Sequence, residues 1–425
     1  MITRRQVLAA ATGPLLLRAT GGVTVTSALA SCGGRTAGVE VFVMWSGGEL
    51  AAFRETLQHF HRESGLQVRV VPVGEQVNEL LQARIDTDNP PDLAIVPLPG
   101  LIRDYAKRGH VRDLGSELGK DTPEGLRELV TMDDGMVAGL WVKAAHKSLF
   151  WHRGDISPPK NWAELVGLVT QRAFEGRTPL AIGAADGWVV SDWFENMLIA
   201  VGGGETYDQL ARGQRAWKSP HVTTALEELA RLWSVPDAFP GGAERALLTQ
   251  YEESVAQVFA TCRADLVFEG DFVGSVVSRF TRKPAKTFFF PPLSTDQPLP
   301  PVVGGDVAAR FTDSRKAEEL IRWLAEAGSM RPWISQGGFL SPNKQVPLDW
   351  YPNELTRKLA VQLYDANEVR FDLSDQLTGR LGGGQGRGMW RILQDFFGAV
   401  AAGQNQNAAV RLAQKQLDAA SRGQS

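Results

Sequence analysis

The sequence predicts an α/β fold of two lobes around a ligand cleft, with a hinge between them. Three observations predict it. Apolar strand-like runs alternate with one-sided helix patterns from Val39 to Arg108. A second block of the same alternation follows Pro158-Pro159. Extended or proline-rich stretches separate the blocks and read as crossings between lobes. Alternating strand and helix implies a parallel sheet with helical crossovers. The 425 residues suit two or three domains at about 150 residues each.

The first strand is Val39 to Trp45, almost continuously apolar, as a strand buried on both faces should be. Glu49 to Glu63 carries Leu50, Phe53, Leu57 and Phe60 at the spacing of an amphipathic helix. Val68 to Val73 is a second strand, and Val77, Leu80, Leu81 and Ile85 mark a second helix. Asp92 to Val96 is a third strand, and Leu101 to Arg108 a third helix. Val137 to Trp151 reads as one long extended stretch that carries the chain out of the first lobe. Asn161, with Glu164 three residues on, caps a helix from Trp162 to Gln171. Leu180 to Ile182 and Leu266 to Phe268 are short strands, and Asp192 to Ala200 is a helix. Phe288 to Pro301 is the proline-rich crossing. Val302-Val303 leads to a helix with Ala317, Leu320, Ile321 and Leu324.

The N-terminus reads as an address. Arg4-Arg5 precede a mostly apolar stretch, and Leu29-Ala30-Ser31-Cys32 has the form of a lipobox. Residues 1–31 are the expected signal peptide, and 32–38 a tether lipidated at Cys32. The twin-arginine and the general secretory routes both remain open, because Arg18 interrupts the apolar segment. Removing 1–31 takes Arg4, Arg5 and Arg18 and leaves 394 residues with a formal net charge of -6. The full chain is near balance, with 45 basic and 48 acidic residues, which argues against a nucleic-acid binder. Two cysteines exclude a disulfide scaffold and a four-thiolate zinc site. With Cys32 acylated, Cys262 is a lone structural thiol. After residue 31 no run of 18 apolar residues suggests a membrane span.

Open α/β sheets bind ligands at the carboxyl ends of strands. That points to the turns after Trp45, Val96, Ile182 and Phe268. These turns carry a resemblance. Trp45-Ser46-Gly47-Gly48-Glu49, Pro90-Pro91-Asp92-Leu93-Ala94-Ile95-Val96-Pro97 and Trp162-Ala163-Glu164-Leu165 resemble the solute-binding proteins of carbohydrate ABC importers, the maltose-binding-protein-like family. Thr178-Pro179-Leu180, Gly187-Trp188 and Ser191-Asp192-Trp193-Phe194-Glu195 resemble its α-glucoside-binding branch. So do Glu269-Gly270-Asp271-Phe272, Gly304-Gly305-Asp306, and Phe371 to Asp375 with the following glycine loop and Trp390. The ordered set covers nearly the whole mature chain. Asn161, Cys262 and the stretch Gln376 to Arg380 depart from the pattern, and they bear on the ligand more than on the fold. The resemblance implies a periplasmic-binding-protein type II fold. Its lobes are expected at 39–145 with 288–340, and at 146–287 with 341–425.

It also implies a sugar ligand. Sugars present hydroxyls and apolar C–H faces, so a cleft needs carboxylates, amides, cations and aromatic planes. Glu49 is a candidate acceptor, or a favourable charge at a helix start. Trp45 is a stacking plane or core. Asp92 serves the cleft or a turn after two prolines. Asp192 and Glu195 share a helix face behind Trp188, with Trp193 among them; Asp192 alone has the alternative of a helix N-cap. Lys143 and Lys147 flank His146 and read as a solvated face, with one within reach of the cleft. Glu269 and Asp271 bracket Gly270, and Asp271 is also a candidate N-cap. Gly305 and Asp306 belong to a hinge or to the site. Gly337-Gly338-Phe339 is a further candidate lining, and Arg380 or Arg387 beside the glycine loop a hydroxyl donor. The glycine loop lacks the Gly-Lys-Ser/Thr ending of a nucleotide loop. His59-Phe60-His61 reads as surface plus core, and no metal or cofactor motif is present.

The expected function is a lipid-anchored, extracytoplasmic, monomeric binding protein. It captures an α-glucoside or small oligosaccharide and delivers it to the membrane permease of the importer. The alternatives are a secreted glycoside-active enzyme using Asp192 and Glu269 as acid and base, or a binder of a non-sugar solute such as a polyamine, an iron chelate or a glycerol phosphodiester.

Overall fold

The computed structural model describes residues 38–294, 299–364, 369–382 and 388–422. The export segment, the lipidation candidate Cys32 and Arg387 lie outside the described residues.

Two sheets carry the chain. The first is built from β1 (Val39–Val43), β2 (Val68–Pro72), β3 (Leu93–Val96), β4 (Leu140–His146), β9 (Val302–Arg310) and β10 (Arg370–Phe371). The second holds β5 (Leu149–His152), β6 (Leu180–Ala181), β7 (Leu266–Glu269) and β8 (Lys286–Phe289). β2, β1 and β3 are parallel neighbours, with Val41 opposite both Val70 and Leu93. This is the geometry that helical crossovers require. β9 then runs antiparallel to both β3 and β4. In the second sheet the order is β6-β7-β5-β8.

The helix α1 (Gly47–Ser64) buries Phe53, Leu57 and Phe60 against the first sheet and leaves His59 and His61 outside. The helices α2 (Val77–Asp86), α3 (Pro99–Lys107) and α4 (Glu124–Val130) complete the first block. In the second block α5 (Trp162–Phe174) is capped as its sequence predicts. The Asn161 side chain accepts from the Glu164 backbone N–H at 2.9 Å. The Glu164 carboxylate reaches back to the Lys160 N–H at 2.8 Å. Next comes α6 (Gly187–Ala211), which begins five residues before the Asp192 start expected for it. Asp192 is therefore an interior helix residue and not an N-cap.

Further on come α7 (Pro220–Trp233), α8 (Gly242–Ala246), α9 (Tyr251–Phe259) and α10 (Val273–Phe280), of which α9 packs on β6 and β7 of the second sheet. The helices α11 (Arg315–Leu324), α12 (Arg331–Gln336) and α13 (Glu354–Tyr364) follow β9. The short α14 (Leu373–Gln376), then α15 (Met389–Ala401) and α16 (Gln406–Ser421), end the described chain. No described helix is long and apolar enough to cross a membrane.

The fold is two-lobed. One core is centred on Phe53, Trp45, Trp333 and the first sheet. The other is centred on Trp193, Trp233, Phe150, Phe268 and the second sheet. The chain passes between sheets at Lys147-Ser148 and in the proline-rich stretch after β8. The segment 341–425, expected whole in the second lobe, is divided. β10 pairs with β9 in the first sheet, and Tyr351, Leu359 and Leu363 join the first core. A two-residue strand has too little pattern to be read, and an amphipathic helix does not declare which sheet it covers. Cys262 is exposed, at φ 57, so it is a surface thiol and not a core one.

Trp162 is fully buried and stacks on Phe290, with centroids 5.3 Å apart and planes at 20°. Trp162→Ala should lower unfolding free energy by about 3–5 kcal/mol. Asn161→Ala, which removes only the cap, should cost about 1 kcal/mol. Denaturant unfolding of both variants checks the order; equal losses would contradict this account of the helix.

Candidate functional site

Alternation along β4 builds the floor of the site. Residues two apart on a strand share a face, so Lys143, Ala145 and Lys147 point one way and Ala144 and His146 the other. The first three line a cavity of about 630 Å³. Both lysines are buried, contrary to the solvated face expected for them. A buried ammonium must be paired. Lys143 Nζ lies 2.7 Å from Glu49 Oε1. Lys147 Nζ lies 2.5 Å from Asp372, 3.3 Å from Asp192 and 3.7 Å from Asp375. Against the burial that would lower them, these carboxylates raise both lysines above their ordinary range.

The walls come from strand and helix ends. Trp45 follows β1, and Glu49 stands in the first turn of α1. Asp186 and Trp188 open α6, while Tyr251 and Glu252 open α9. Gly305 and Asp306 lie within β9, opposite Ala144 and Lys143. A Cβ at Gly305 would meet the Lys143 carbonyl oxygen at 2.5 Å, so only glycine lets β9 pass β4 this closely. Trp188, Tyr251 and Phe272 pack edge to face or tilted, with centroids 5.5–5.8 Å apart. Lys147 Nζ lies 5.5 Å from the Trp188 ring centroid. Asp375 and Trp390 also line the cavity.

Of the residues singled out in the sequence, Trp45, Glu49, Trp188, Gly305 and Asp306 are brought together in this cavity. Asp192 lies beneath the lining as a partner of Lys147. Asp271 lies beneath it too. Its Oδ1 accepts from the His146 N–H at 2.7 Å, and the N-cap position of α10 is Phe272. Glu269 is buried, with both carboxyl oxygens lacking a partner among the described residues.

Five residues stand elsewhere. Asp92 is a turn residue, accepting from Glu40 N–H at 3.0 Å and from the Thr312 hydroxyl at 2.7 Å. Trp193 is fully buried among Phe150, Phe268, Trp233 and Phe290. Glu195 accepts from Leu373 N–H at 2.6 Å, Ser374 N–H at 3.1 Å and the Tyr207 hydroxyl at 2.7 Å, and so anchors backbone. Phe339 is core, 4.9 Å from Trp333. Arg380 is exposed and outside the lining. Asp186, Gln250, Tyr251 and Glu252 went unread. Their one signal was an aromatic and a carboxylate at a helix start.

The site is rich in acid. Burial pushes Asp192, Glu195, Glu269 and Asp375 well above the usual carboxylate range. Burial likewise raises Asp271 and Asp306 to about 6, with Lys143 pulling the other way. Asp372 differs: against burial, Lys147 and the Ser374 hydroxyl hold it below its ordinary value. His146 is driven down to about 3 by burial, so it is neutral at physiological pH. Among the described residues no group of three or more His, Cys, Asp and Glu is arranged for a metal ion. A separate cavity of about 570 Å³, lined by Arg103, Tyr207, Asp208 and Arg370 among others, includes none of the candidate ligand-binding residues.

Residues 45–331 match the family described as bacterial extracellular solute-binding protein. The osmoprotective compounds-binding protein GgtB of Synechocystis is 29% identical over 85% of this chain and 89% of its own. The alpha-glucosides-binding periplasmic protein AglE of Rhizobium meliloti is 30% identical over 85% of each chain. Among solved structures, the binding protein RafE in complex with raffinose superposes with a TM-score of 0.74. It is 17% identical, covering 91% of this chain and all of that one. A chitin oligosaccharide binding protein gives 0.73 at 19% identity, with the same coverage. These two likenesses bear on the fold alone. By its sequence and its two-lobed fold, the chain belongs to the bacterial extracellular solute-binding proteins, a family of binding proteins and not of enzymes.

Proposed function

We propose that this chain is the lipid-anchored, monomeric substrate-binding subunit of a carbohydrate ABC importer. It captures an α-glucoside or a small oligosaccharide in the interlobe cleft and hands it to the membrane permease. One observation carries the reading: the cavity sets aromatic planes beside paired charges. Trp188, Tyr251 and Phe272 offer rings for C–H faces. Lys143, Lys147, Glu49 and Asp306 offer donors and acceptors for hydroxyls. A volume of about 630 Å³ falls within the range of small-molecule pockets. The name of AglE points to the same class. The anchor rests on Cys32 and its flanking sequence.

Closure follows from two-sided contact. A ligand that touches both lobes only when they approach binds the closed state better and shifts the population toward it. An anionic solute such as a glycerol phosphodiester is disfavoured, because it would be desolvated beside an excess of carboxylates. The same excess favours one second reading, a cationic solute such as a polyamine.

Calorimetric titration of the mature protein with α-glucosides, oligosaccharides and spermidine decides between them. Saturable heat from a saccharide alone is the expected result; heat from spermidine alone would replace the sugar with a cation. Trp188→Ala should weaken saccharide binding about tenfold, the worth of one stacked ring, with the protein still folded. An unaltered affinity would remove Trp188 from the contact surface.

Affinity should also depend on pH in a defined direction. A ligand hydroxyl that donates to Asp306 favours the ionised carboxylate. Burial holds Asp306 at about 6 in the free protein, so below that pH a proton must leave before the hydroxyl can donate. Binding should be level above pH about 7 and weaken by up to about tenfold per unit below about 6. Titrations from pH 5 to 8 test the sign; tighter binding in acid would make the carboxyl a donor instead.

A further inference from the structure

The polar and aromatic parts of the cleft meet at one hydroxyl. Ser374 is fully buried in α14. Its Oγ donates to Asp372 Oδ1 at 2.7 Å and accepts from the Trp390 indole Nε1–H at 2.9 Å. The other oxygen of Asp372 holds Lys147. The Ser191 hydroxyl lies 3.2 Å from the Ser374 hydroxyl and 2.8 Å from the Trp188 carbonyl oxygen, to which it donates. A serine hydroxyl has one proton to give and two lone pairs. Here the proton is committed to Asp372, and a lone pair accepts from the indole; Ser191, whose own proton goes to the Trp188 carbonyl, lies beside it.

Trp390 is buried in the first core, and Ser374 is the hydrogen-bond partner of its indole N–H. Among the described residues it makes no ring–ring contact, whereas Trp188 touches Tyr251 and Phe272, and Trp45 touches Phe53 and Trp333. The start of its side chain rests on Gly187, where a Cβ would come within 2.6 Å of the Trp390 Cβ. The contact at Gly187 places the ring, and the bond to Ser374 sets its rotation. Ser374 is itself fixed, because Glu195 accepts from its backbone N–H at 3.1 Å.

We propose that Ser374 is a positioning residue, whose hydroxyl sets the plane of the Trp390 indole in the cleft wall and couples it to the carboxylate that holds Lys147. The part of this that concerns ligand affinity rests on reading the cleft as a sugar site. Lys147 and Trp390 then move as one surface, and a ligand that displaces the ammonium also feels the ring.

Two measurements test this. The first needs no ligand. The indole ¹H–¹⁵N resonance of Trp390 is identified by its loss in Trp390→Phe. In Ser374→Ala it should shift and exchange faster with solvent, while Ser374→Thr, which keeps the hydroxyl, should restore it. An unmoved resonance in Ser374→Ala overturns the proposal. Should the alanine variant fail to fold, Ser374→Cys, of similar size with a weaker donor and acceptor, carries the same expectation. The second is a double-mutant cycle in binding, with trehalose and sucrose as probes. Ser374→Ala should weaken binding about three- to thirtyfold in the wild-type background and change it little in the Trp390→Phe background. Additive losses would show that Ser374 does not act through Trp390, and would overturn the coupling. Absence of binding by any saccharide to the wild type would remove the sugar reading, while the indole measurement still decides the role of Ser374.

Discussion

The structure is organised around the burial of the Lys147 ammonium. A charge taken out of water is tolerated only with partners in good geometry. Lys147 lies between β4 and β5, where the chain leaves the first sheet for the second. Its partners come from α6, through Asp192, and from the segment after β10, through Asp372 and Asp375. One side chain therefore ties three stretches of chain together at the base of the cleft. Removing Asp372, the partner held in its ionised form, would leave the ammonium without its counter-charge in a dry place, which is more costly than the loss of a surface pair.

The same base is reinforced by carboxylates that bind backbone rather than ligand. Glu195 accepts from Leu373 and Ser374, and Asp271 from His146. The Asn196 amide donates to the Lys147 carbonyl at 2.9 Å. These bonds satisfy backbone groups where the chain crosses between sheets and regular ladders end. They also explain why acidic residues outnumber lysines here. Part of the acid holds the crossings in place, and part, Glu49 and Asp306 among it, faces the cavity. Rings fill the remaining wall, so polar and apolar surface lie side by side over a short distance.

The α6 segment shows how far local pattern reaches. The spacing of Asp192 and Glu195 places them on one face, and both do point into one polar network. The pattern does not say that this network lies beneath the cavity. Trp193 points the other way, into the second core, because a helix buried on nearly all sides offers apolar surroundings to every residue. The lysines failed in the opposite sense. Their period of two, with Ala145 between them, was visible, and a lysine is so seldom buried that a solvated face was the default. Only Glu49 for Lys143, and the carboxylates of residues 192, 372 and 375 for Lys147, make burial possible, and those lie 45 to 228 positions away in sequence.

The order of strands and helices, the capped start of α5, the crossings and the family were all legible in the residues. Each depends on neighbours within one turn or one strand, or on motifs in sequence order. Trp45, Glu49, Trp188, Gly305 and Asp306 were legible as candidates because strand ends and helix starts converge on a cleft in this class of fold. Which acids face the cavity, which hold backbone, and how 341–425 is divided between lobes were decided by tertiary structure. Those outcomes depend on pairing between distant segments, and a buried charge takes its role from the partner that neutralises it.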